Sequence, residues 1–221
     1  MHVIVTGAAG SLGRVVVSLL NGDGRNITGI DIADFDDVSG VSHAEAAVDL
    51  NEADQVASAM ARAVEVNGPI DGLVNVAGGF AWETVADGSV ETWDRLYRMN
   101  VRSALIACQA ALPHLASAAS IVTIGAGAAA KAGMGMGAYA ASKSGVARLT
   151  EALAEELKGQ GVRVNAVLPS IIDTPANRAD MPDADVSTWV TGDEIAEVIR
   201  FLLSPEASGV TGALVPVSGR V

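Results

Sequence analysis

Cysteine and basic residues are scarce in this chain of 221 residues. Cys108 is the only cysteine, which excludes a disulfide within the chain and a thiolate metal cluster. Lys and Arg number 14 against 26 Asp and Glu, and the net charge is −12. Nucleic-acid and anionic-membrane partners need a basic footprint, so we expect neither. The three histidines are scattered without ligand spacing, so we expect no metal site.

Long hydrophobic runs are also missing. No stretch of about 18 apolar residues predicts a membrane span. The start, MHVIVTGAAG, lacks the basic and apolar regions of a signal peptide, so we expect a cytoplasmic protein. Aromatic residues make up only 4% of the chain, whereas Ala and Gly are abundant, which favours close packing of helices on a sheet. One domain, 1–221, is the simplest organisation at this length.

Short β-branched segments alternate with longer segments rich in Ala and Leu. The predicted strands lie near 2–6, 27–31, 45–48, 72–75, 120–124, 163–167 and 213–217. The predicted helices lie near 12–21, 52–66, 89–116 (broken by Pro113), 137–158 and 193–203. This alternation predicts an α/β fold with a parallel sheet and helices on both faces. Residues 173–192 interrupt the rhythm and are predicted to form a loop or small lobe over the sheet.

A glycine-rich stretch, VIVTGAAGSLGRVV, follows the first predicted strand and opens the first helix. Gly7, Gly10 and Gly13 stand three residues apart. At such a turn a dinucleotide diphosphate lies against the backbone at a helix N-terminus, where side chains would block it. An ordinary tight turn would explain the glycines alone, but an acid after the second strand strengthens the cofactor interpretation.

That acid is Asp31, 18 residues after Gly13. Its carboxylate is placed to accept from both ribose hydroxyls of the adenosine half and would repel a 2′-phosphate, which favours NAD(H) over NADP(H). Arg14 is the counter-argument, because a guanidinium there can reach a phosphate, so NADP(H) is not excluded. Asp34 is a second candidate for the ribose, and Asp31 would then be a turn residue.

Two further stretches follow predicted strands. Asp49 and Leu50 lie where a side chain can meet the adenine, although Asp49 equally suits the start of the next helix. The stretch NVAGG begins at Asn75, and its small residues, including Ala77 and Gly78, let the backbone pass beside the cofactor ribose. These residues are therefore predicted to bind the cofactor.

Tyr139 and Lys143 stand four residues apart on a predicted helix and so share one of its faces. A free phenol has a pKa near 10, and a nearby cation favours the phenolate and lowers that pKa. We therefore predict that Tyr139 is a general acid/base with a pKa nearer neutrality. Lys143 can also hold the nicotinamide ribose hydroxyls. The alternative is a surface tyrosine beside a solvated lysine.

Together, TGAAGSLG, NVAGG, Asn100 in RMNV, YAASK and VRVNAVLPSIIDTP resemble the short-chain dehydrogenase/reductase family across the whole chain. The resemblance implies a Rossmann-type, doubly wound sheet of seven parallel strands in a single domain. It implies Tyr139 as the acid/base, Lys143 as its partner and Asn100 as the holder of a proton-relay water. Further cofactor contacts that it implies come from the first turn and from the end of strand six: Ser11, Leu12, Pro169, Ile172 and Thr174.

One departure from the family pattern bears on the chemistry. The family places a catalytic serine just after strand five, but no serine lies between Ser120 and Ser142. The aligned position falls within 125–127, so Ala126 is a candidate to line the substrate site. Quinonoid dihydropteridine reductase also lacks this serine, and LPSIIDTPANRADMPDADVSTW resembles its tail. That branch implies a quinonoid, pteridine-like acceptor and NADH as the donor.

Three other side chains are candidates for the substrate site. Trp82 and Trp189 either form an aromatic lid over a flat substrate or pack locally. Met134 either lines an adaptable pocket or packs in its loop or at a subunit contact. The helices near 89–116 and 137–158 are rich in Ala and Leu, which together with the resemblance predicts a homodimer or homotetramer.

Two functional hypotheses follow. The first is an NAD(H)-dependent oxidoreductase that acts on CH–OH or CH–NH groups and transfers hydride between nicotinamide and a carbonyl, alcohol or quinonoid small molecule. The second, suggested by the missing serine, is a catalytically weak or inactive NAD-binding module with a regulatory or structural role.

Overall fold

All strands of the computed structural model lie in one parallel sheet, and the structure describes residues 1–35 and 38–221. Within those residues the sheet has seven strands: β1 (His2–Thr6), β2 (Asn26–Ile30), β3 (His43–Glu45), β4 (Ile70–Asn75), β5 (Leu115–Ile124), β6 (Arg163–Pro169) and β7 (Leu214–Val217). Their spatial order is β3-β2-β1-β4-β5-β6-β7. The predicted α/β fold, with a doubly wound parallel sheet in a single domain, is confirmed.

Seven α-helices occupy the connections in the described residues: α1 (Ser11–Gly22), α2 (Ala53–Asn67), α3 (Val90–Tyr97), α4 (Ser103–Ala111), α5 (Gly137–Leu157), α6 (Pro175–Asp180) and α7 (Gly192–Leu203). The predicted helix near 89–116 is divided, because α3 and α4 flank a π-helix at Arg98–Arg102. Pro113 lies in a 3₁₀ turn directly after α4, as its missing N–H requires. Across 1–35 and 38–221, no helix combines the length and apolarity needed to cross a bilayer.

Alternation along each strand creates two apolar cores, one on each face of the sheet. Ile4 and Leu73 belong to the core covered by α2, α4 and α5, whereas Val5 and Val74 belong to the core covered by α1 and α7. Successive strand residues point to opposite faces, so a strand that is covered on both sides must be apolar throughout. This burial fixes the register of β1 and β4.

The segment 173–192, predicted as a loop or lobe, contains the short helix α6 and returns to the sheet. An isolated parallel bridge joins Ile172 to Val190, and Val190 is buried in the core beneath α1 and α7. The sequence rhythm missed α6 because it is only six residues long and begins at Pro175.

The chain reverses its direction of winding between β1 and β4, which are neighbours in the sheet. Crossovers that leave these two strands go to opposite sides and open a crevice at their carboxyl ends. The glycine turn follows β1, NVAGG begins at the end of β4, and both therefore border this crevice.

Candidate active site

The turn between β1 and α1 is shaped by glycines. Gly7 has a φ of +69°, and a Cβ there would lie 2.7 Å from the Ala77 backbone of the neighbouring strand end. A Cβ on Gly13 would lie 2.0 Å from the Gly7 carbonyl oxygen, so α1 can pack on the turn only with glycine at this place. The helix N-terminus thus meets the crevice with its backbone N–H groups uncovered by side chains, which fits a dinucleotide diphosphate.

Asp31 lies directly after β2 and is hydrogen-bonded to this turn. Its carboxylate accepts hydrogen bonds from the Ala9 N–H at 2.9 Å and from the Ala33 N–H at 3.0 Å. Each carboxylate oxygen retains a further acceptor position, so the group can still receive ribose hydroxyls. Asp34, the other candidate, is exposed and does not line the crevice.

A cleft of about 620 Å³ runs along the crevice. The structure brings seven of the predicted cofactor residues into its wall: Gly7, Gly10, Asp31, Asp49, Leu50, Ala77 and Gly78. The Asp49 carboxylate also accepts a hydrogen bond from the Asn51 N–H at 2.9 Å, in the turn before α2, whose N-cap is Glu52, so Asp49 does not cap the helix. Ser11, Leu12 and Gly13 form the first turn of α1 behind this wall.

The Asn75 side chain faces the core instead of the cleft. Its Nδ2 donates to Cys108 Sγ at 3.3 Å, and its Oδ1 accepts from the Thr6 hydroxyl at 3.3 Å. This amide therefore ties β4 to β1 and α4. Burial raises the pKa of the Cys108 thiol to about 12, so the only cysteine is an unreactive core residue.

Three predicted cofactor residues lie at and beyond the carboxyl end of β6. Pro169 is the last residue of the strand. The Ile172 carbonyl accepts from Asn177 Nδ2 at 2.8 Å, and the Thr174 hydroxyl accepts from the Asn177 N–H at 3.2 Å as the N-cap of α6. Their contacts with a nicotinamide stay a prediction.

Tyr139 and Lys143 lie on one face of α5, as the spacing predicts. Lys143 Nζ is 6.0 Å from the centre of the Tyr139 ring. Lys143 as a whole is 95% buried, and its ammonium group donates to the Ile124 carbonyl at the end of β5, at 2.8 Å. The pair is therefore anchored to the sheet next to the position where the family's serine would stand.

The predicted lowering of the Tyr139 pKa is wrong for this structure. Burial raises the pKa of the Tyr139 phenol to about 12 and lowers that of the Lys143 ammonium to about 8. Desolvation penalises the charged form of each group, and the ammonium directs a hydrogen bond to Ile124. At neutral pH Tyr139 is a protonated phenol, which suits it to donate a proton.

Asn100 lies in the π-helix and clamps two parts of the site together. Its Oδ1 accepts from the Gly79 N–H at 2.8 Å, and its Nδ2 donates to the Gly79 carbonyl at 3.0 Å and to Ser142 Oγ at 2.9 Å. Ser142 Oγ in turn donates to the Tyr139 carbonyl at 2.8 Å. A Cβ on Gly78 would lie 2.6 Å from Asn100 Oδ1, which explains the glycine there. The water-holding role of Asn100 stays a prediction.

The aromatic lid predicted from Trp82 and Trp189 does not form. Trp189 is only 3% exposed and belongs to the interior, so its assignment to the substrate site is wrong. Trp82 is exposed, and its Nε1 donates to the Met134 carbonyl at 3.0 Å. Met134 itself is exposed at the crevice end of the molecule, in the loop before α5.

Phe80 is a further residue that lies beside Tyr139, and this position was not predicted from the sequence. Its ring meets the Tyr139 ring edge to face, with centroids 4.9 Å apart and an interplanar angle of 81°. The available signal was its place two residues after Gly78, in a chain with three phenylalanines.

Comparison with known proteins identifies the family. Residues 7–219 match the family model described as enoyl-(acyl carrier protein) reductase. The chain belongs to the short-chain dehydrogenase/reductase family. It is 30% identical to 3-oxoacyl-(acyl-carrier-protein) reductase FabG of Thermotoga maritima, over 98% of this chain and 95% of that protein. It is 33% identical to cis-4-hydroxycyclohexanecarboxylate dehydrogenase of Sinomonas cyclohexanicum, over 98% of this chain and 94% of that protein.

Other members of the family extend the comparison. An inactive 2-(S)-hydroxypropyl-CoM dehydrogenase 2 of Xanthobacter autotrophicus is 36% identical over 77% of this chain and 81% of that protein. A Serratia marcescens short-chain dehydrogenase/reductase superposes with a TM-score of 0.89 at 28% identity, covering 99% of this chain and 96% of that one. A blue fluorescent protein from a metagenomic library, in complex with NADPH, superposes with a TM-score of 0.89 at 30% identity, covering 99% of this chain and 96% of that one. The chain is thus an oxidoreductase of the short-chain dehydrogenase/reductase family and has the NAD(P)-binding fold of that family.

The position of the family's serine holds no side-chain hydroxyl in this member. Gly125 continues the ladder by donating to the Val167 carbonyl at 2.8 Å, and Ala126 follows, 6% exposed. Thr123 cannot substitute, because its hydroxyl is buried and paired with the Thr150 hydroxyl at 2.8 Å. Residues 123–127 therefore offer no unpaired hydroxyl beside Tyr139.

Metal ligands are not clustered in the described residues. Within 1–35 and 38–221, no group of three or more His, Cys, Asp or Glu side chains is arranged to hold a metal ion.

Proposed function

We propose that the protein is an NAD(H)-dependent oxidoreductase that transfers hydride between nicotinamide and a carbonyl, alcohol or quinonoid small molecule. The observation that carries this proposal is the Tyr139–Lys143 pair, anchored at the carboxyl end of β5 beside a glycine-lined cleft. The experiment that tests it is replacement of Tyr139 by Phe, which should lower kcat while cofactor binding is kept.

The chain's own residues divide the work between binding and proton transfer. The glycine turn would hold the diphosphate and Asp31 the adenosine ribose, and the bound nicotinamide supplies or takes up the hydride. Tyr139 Oη donates its proton to the substrate oxygen during reduction. Lys143 is the cation on the same helix face, and we propose that its charge offsets part of the desolvation cost of the phenolate that Tyr139 becomes. Since burial raises the pKa of the Tyr139 phenol to about 12, the group is protonated at neutral pH and ready to donate its proton.

The pH dependence of reduction should follow Lys143. Burial lowers the pKa of Lys143 from its ordinary 10.5 to about 8, so the cation is present below pH 8 and is lost as the pH rises through 8. We expect kcat for reduction to be level below about pH 8 and to fall above it. In K143M the kcat should be lower and that inflection should vanish, which a pH–rate series measures. Lys158, exposed at the end of α5, supplies the control K158M; an unchanged profile in K143M contradicts the assignment.

Asp31 supports a preference for NAD(H) over NADP(H). A carboxylate in the cleft wall repels a 2′-phosphate, although a related structure contains NADPH and Arg14 lies nearby, with its Nε donating to the Ala9 carbonyl. In D31N we expect the Kd for NADPH to fall about 10-fold, while the Kd for NADH rises, because a like-charge repulsion is removed. Paired fluorescence titrations measure both constants.

Asp34 provides the matched control for that titration. It is an exposed acid three residues away and was the alternative ribose ligand. D34N should leave both dissociation constants unchanged. If D34N changes the NADPH affinity and D31N does not, the ribose role belongs to Asp34.

Two classes of substrate are proposed, cyclic alcohols or ketones and quinonoid acceptors. A cyclic alcohol or ketone is supported by the relative named for cis-4-hydroxycyclohexanecarboxylate. A quinonoid, pteridine-like acceptor is supported by Ala126, since hydride transfer to an electron-poor ring needs less help from a hydroxyl donor. Quinones, quinonoid pteridine and small ketones therefore make up the test panel for NADH oxidation.

A catalytically weak NAD-binding module is the second candidate. It is favoured by the missing hydroxyl at Ala126 and by the relative whose name describes it as inactive. It predicts NAD binding without hydride transfer.

We also propose a homodimer or homotetramer, since many family members are oligomeric. Large apolar side chains are exposed on α3 and just before it: Val85, Val90, Trp93 and Tyr97. Faces of this kind are costly in a monomer.

A further inference from the structure

The residues after β4 form a strap across the start of α5. We define the strap as residues 79–83. The Asn100 side-chain amide holds the first residue of the strap, Gly79, by two hydrogen bonds to the Gly79 backbone. The last residue, Glu83, donates its backbone N–H to the Gly135 carbonyl at 2.9 Å. The strap therefore connects the end of β4 with the loop that leads to Tyr139.

Trp82 secures the far end of the strap. Its indole donates to the Met134 carbonyl at 3.0 Å and packs directly on the next residue, Gly135. Gly135 has a φ of +74°, and a Cβ there would lie 2.1 Å from Trp82 Cε2. Only glycine allows this contact, so the two loops are matched to each other.

Phe80 occupies the middle of the strap. The Phe80 ring contacts the Tyr139 ring, and the two ring centres are 4.9 Å apart. Half of the Phe80 surface is exposed to solvent. Phe80 therefore contacts the Tyr139 ring and keeps exposed aromatic surface beside it. Trp82 and Met134 add exposed apolar surface on the two loops that their hydrogen bond joins.

Unpaired hydroxyl groups are lacking on the side of Tyr139 formed by residues 123–127. Ala126 carries no hydroxyl, and Thr123 is committed to Thr150. A small polar alcohol would gain little here beyond its bond to Tyr139. A ring-shaped, largely apolar molecule would instead bury its surface against aromatic side chains.

We propose that Phe80 is a specificity-determining residue, and that the strap forms the aromatic wall of a site for ring-shaped, largely apolar carbonyl or quinonoid substrates. This inference rests on the proposed function, because it takes Tyr139 to be the proton donor to the substrate. Phe80 selects the substrate by contact with its ring and takes no part in proton transfer.

The experiment compares ligand binding to the NAD⁺-bound protein by calorimetry. The probes are 1,4-naphthoquinone, cyclohexanone and the linear ketone 2-butanone, which undergo no hydride transfer with the oxidised cofactor. In F80A we expect the Kd for naphthoquinone to rise about 10-fold, and in F80L about 3-fold, because the aromatic contact is lost or reduced. The Kd for butanone and for NADH should stay within 2-fold of wild type, on the order of experimental error.

The matched control is F201A, since Phe201 is a similarly exposed phenylalanine on α7 that lines a different surface depression, with Arg25 and Arg200. It should leave every Kd unchanged. F80L guards against a folding defect in F80A, and circular dichroism checks both variants.

The outcomes separate the two proposals. If wild type fails to bind NADH, the proposed function fails. If NADH binds and is oxidised by an acceptor of the panel, but naphthoquinone does not bind or keeps its wild-type Kd in F80A and F80L, the Phe80 inference is overturned while the proposed function stands. Equal weakening of butanone and naphthoquinone would also overturn it, because Phe80 would then not discriminate between shapes.

Discussion

Tyr139→Phe should abolish most of the hydride transfer while leaving the site intact. General acid catalysis contributes about 10²- to 10⁴-fold to a rate, so we expect kcat for reduction to fall within that range. The phenyl ring of the variant keeps the edge-to-face contact with Phe80, and Lys143 keeps its bond to the Ile124 carbonyl. The KM of the substrate and the Kd of NADH should therefore change little. Stopped-flow measurement of NADH oxidation with the best acceptor of the panel gives kcat directly.

The chain supplies its own control for this substitution, because it has only two tyrosines. Tyr97 lies exposed at the end of α3, and Y97F should keep wild-type kcat. A Tyr139→Phe protein within about threefold of wild-type kcat would remove Tyr139 from the proton-transfer role. Failure of the wild type to oxidise NADH with any acceptor would instead favour the NAD-binding module.

The parts of the fold that follow from local pattern were predictable from sequence. The apolar run at β1 and the small residues at Gly7 and Gly13 predict a buried parallel strand and a bare helix N-terminus, because few other residues permit that geometry. The same holds for the shared face of Tyr139 and Lys143, which the period of the helix determines.

Properties that depend on burial were not predictable from spacing. The distance between Tyr139 and Lys143 along the helix predicts their proximity, but the sign of the Tyr139 pKa shift depends on how much water reaches the phenol. Trp189 shows the same limit: turn-forming neighbours predict a surface loop, whereas the bridge between Ile172 and Val190 draws the segment into the core.

Contacts between distant loops were equally out of reach. Phe80 and Tyr139 are 59 residues apart in the chain, and the match between Trp82 and Gly135 needs both loops to be placed first. The Asn100 clamp is a further case, since its two bonds to Gly79 depend on the π-helix that turns the amide toward β4.

Ala126→Ser should increase the activity on simple ketones. Removing one oxyanion donor from an enzyme typically costs on the order of 10²- to 10³-fold in kcat, so restoring a hydroxyl at this buried position should recover part of that factor, about 10- to 100-fold. Reduction of cyclohexanone by NADH measures the gain. An electron-poor quinone should show a smaller gain, because it depends less on the donor. The buried hydroxyl also needs a partner, so the melting temperature should fall slightly.

Two comparisons make this gain interpretable. Ala128→Ser adds a hydroxyl two residues farther on, in the 3₁₀ turn Gly127–Ala129, and should leave the rate unchanged. The A126S/Y139F double variant should lose the gain, because the added donor stabilises an oxygen that Tyr139 no longer protonates. An increase in A126S shows that the scaffold lacks only a hydroxyl. Wild-type NADH binding with no ketone or quinone turnover in either wild type or A126S would mean that Tyr139 and Lys143 no longer support hydride chemistry, and the protein would then be the NAD-binding module.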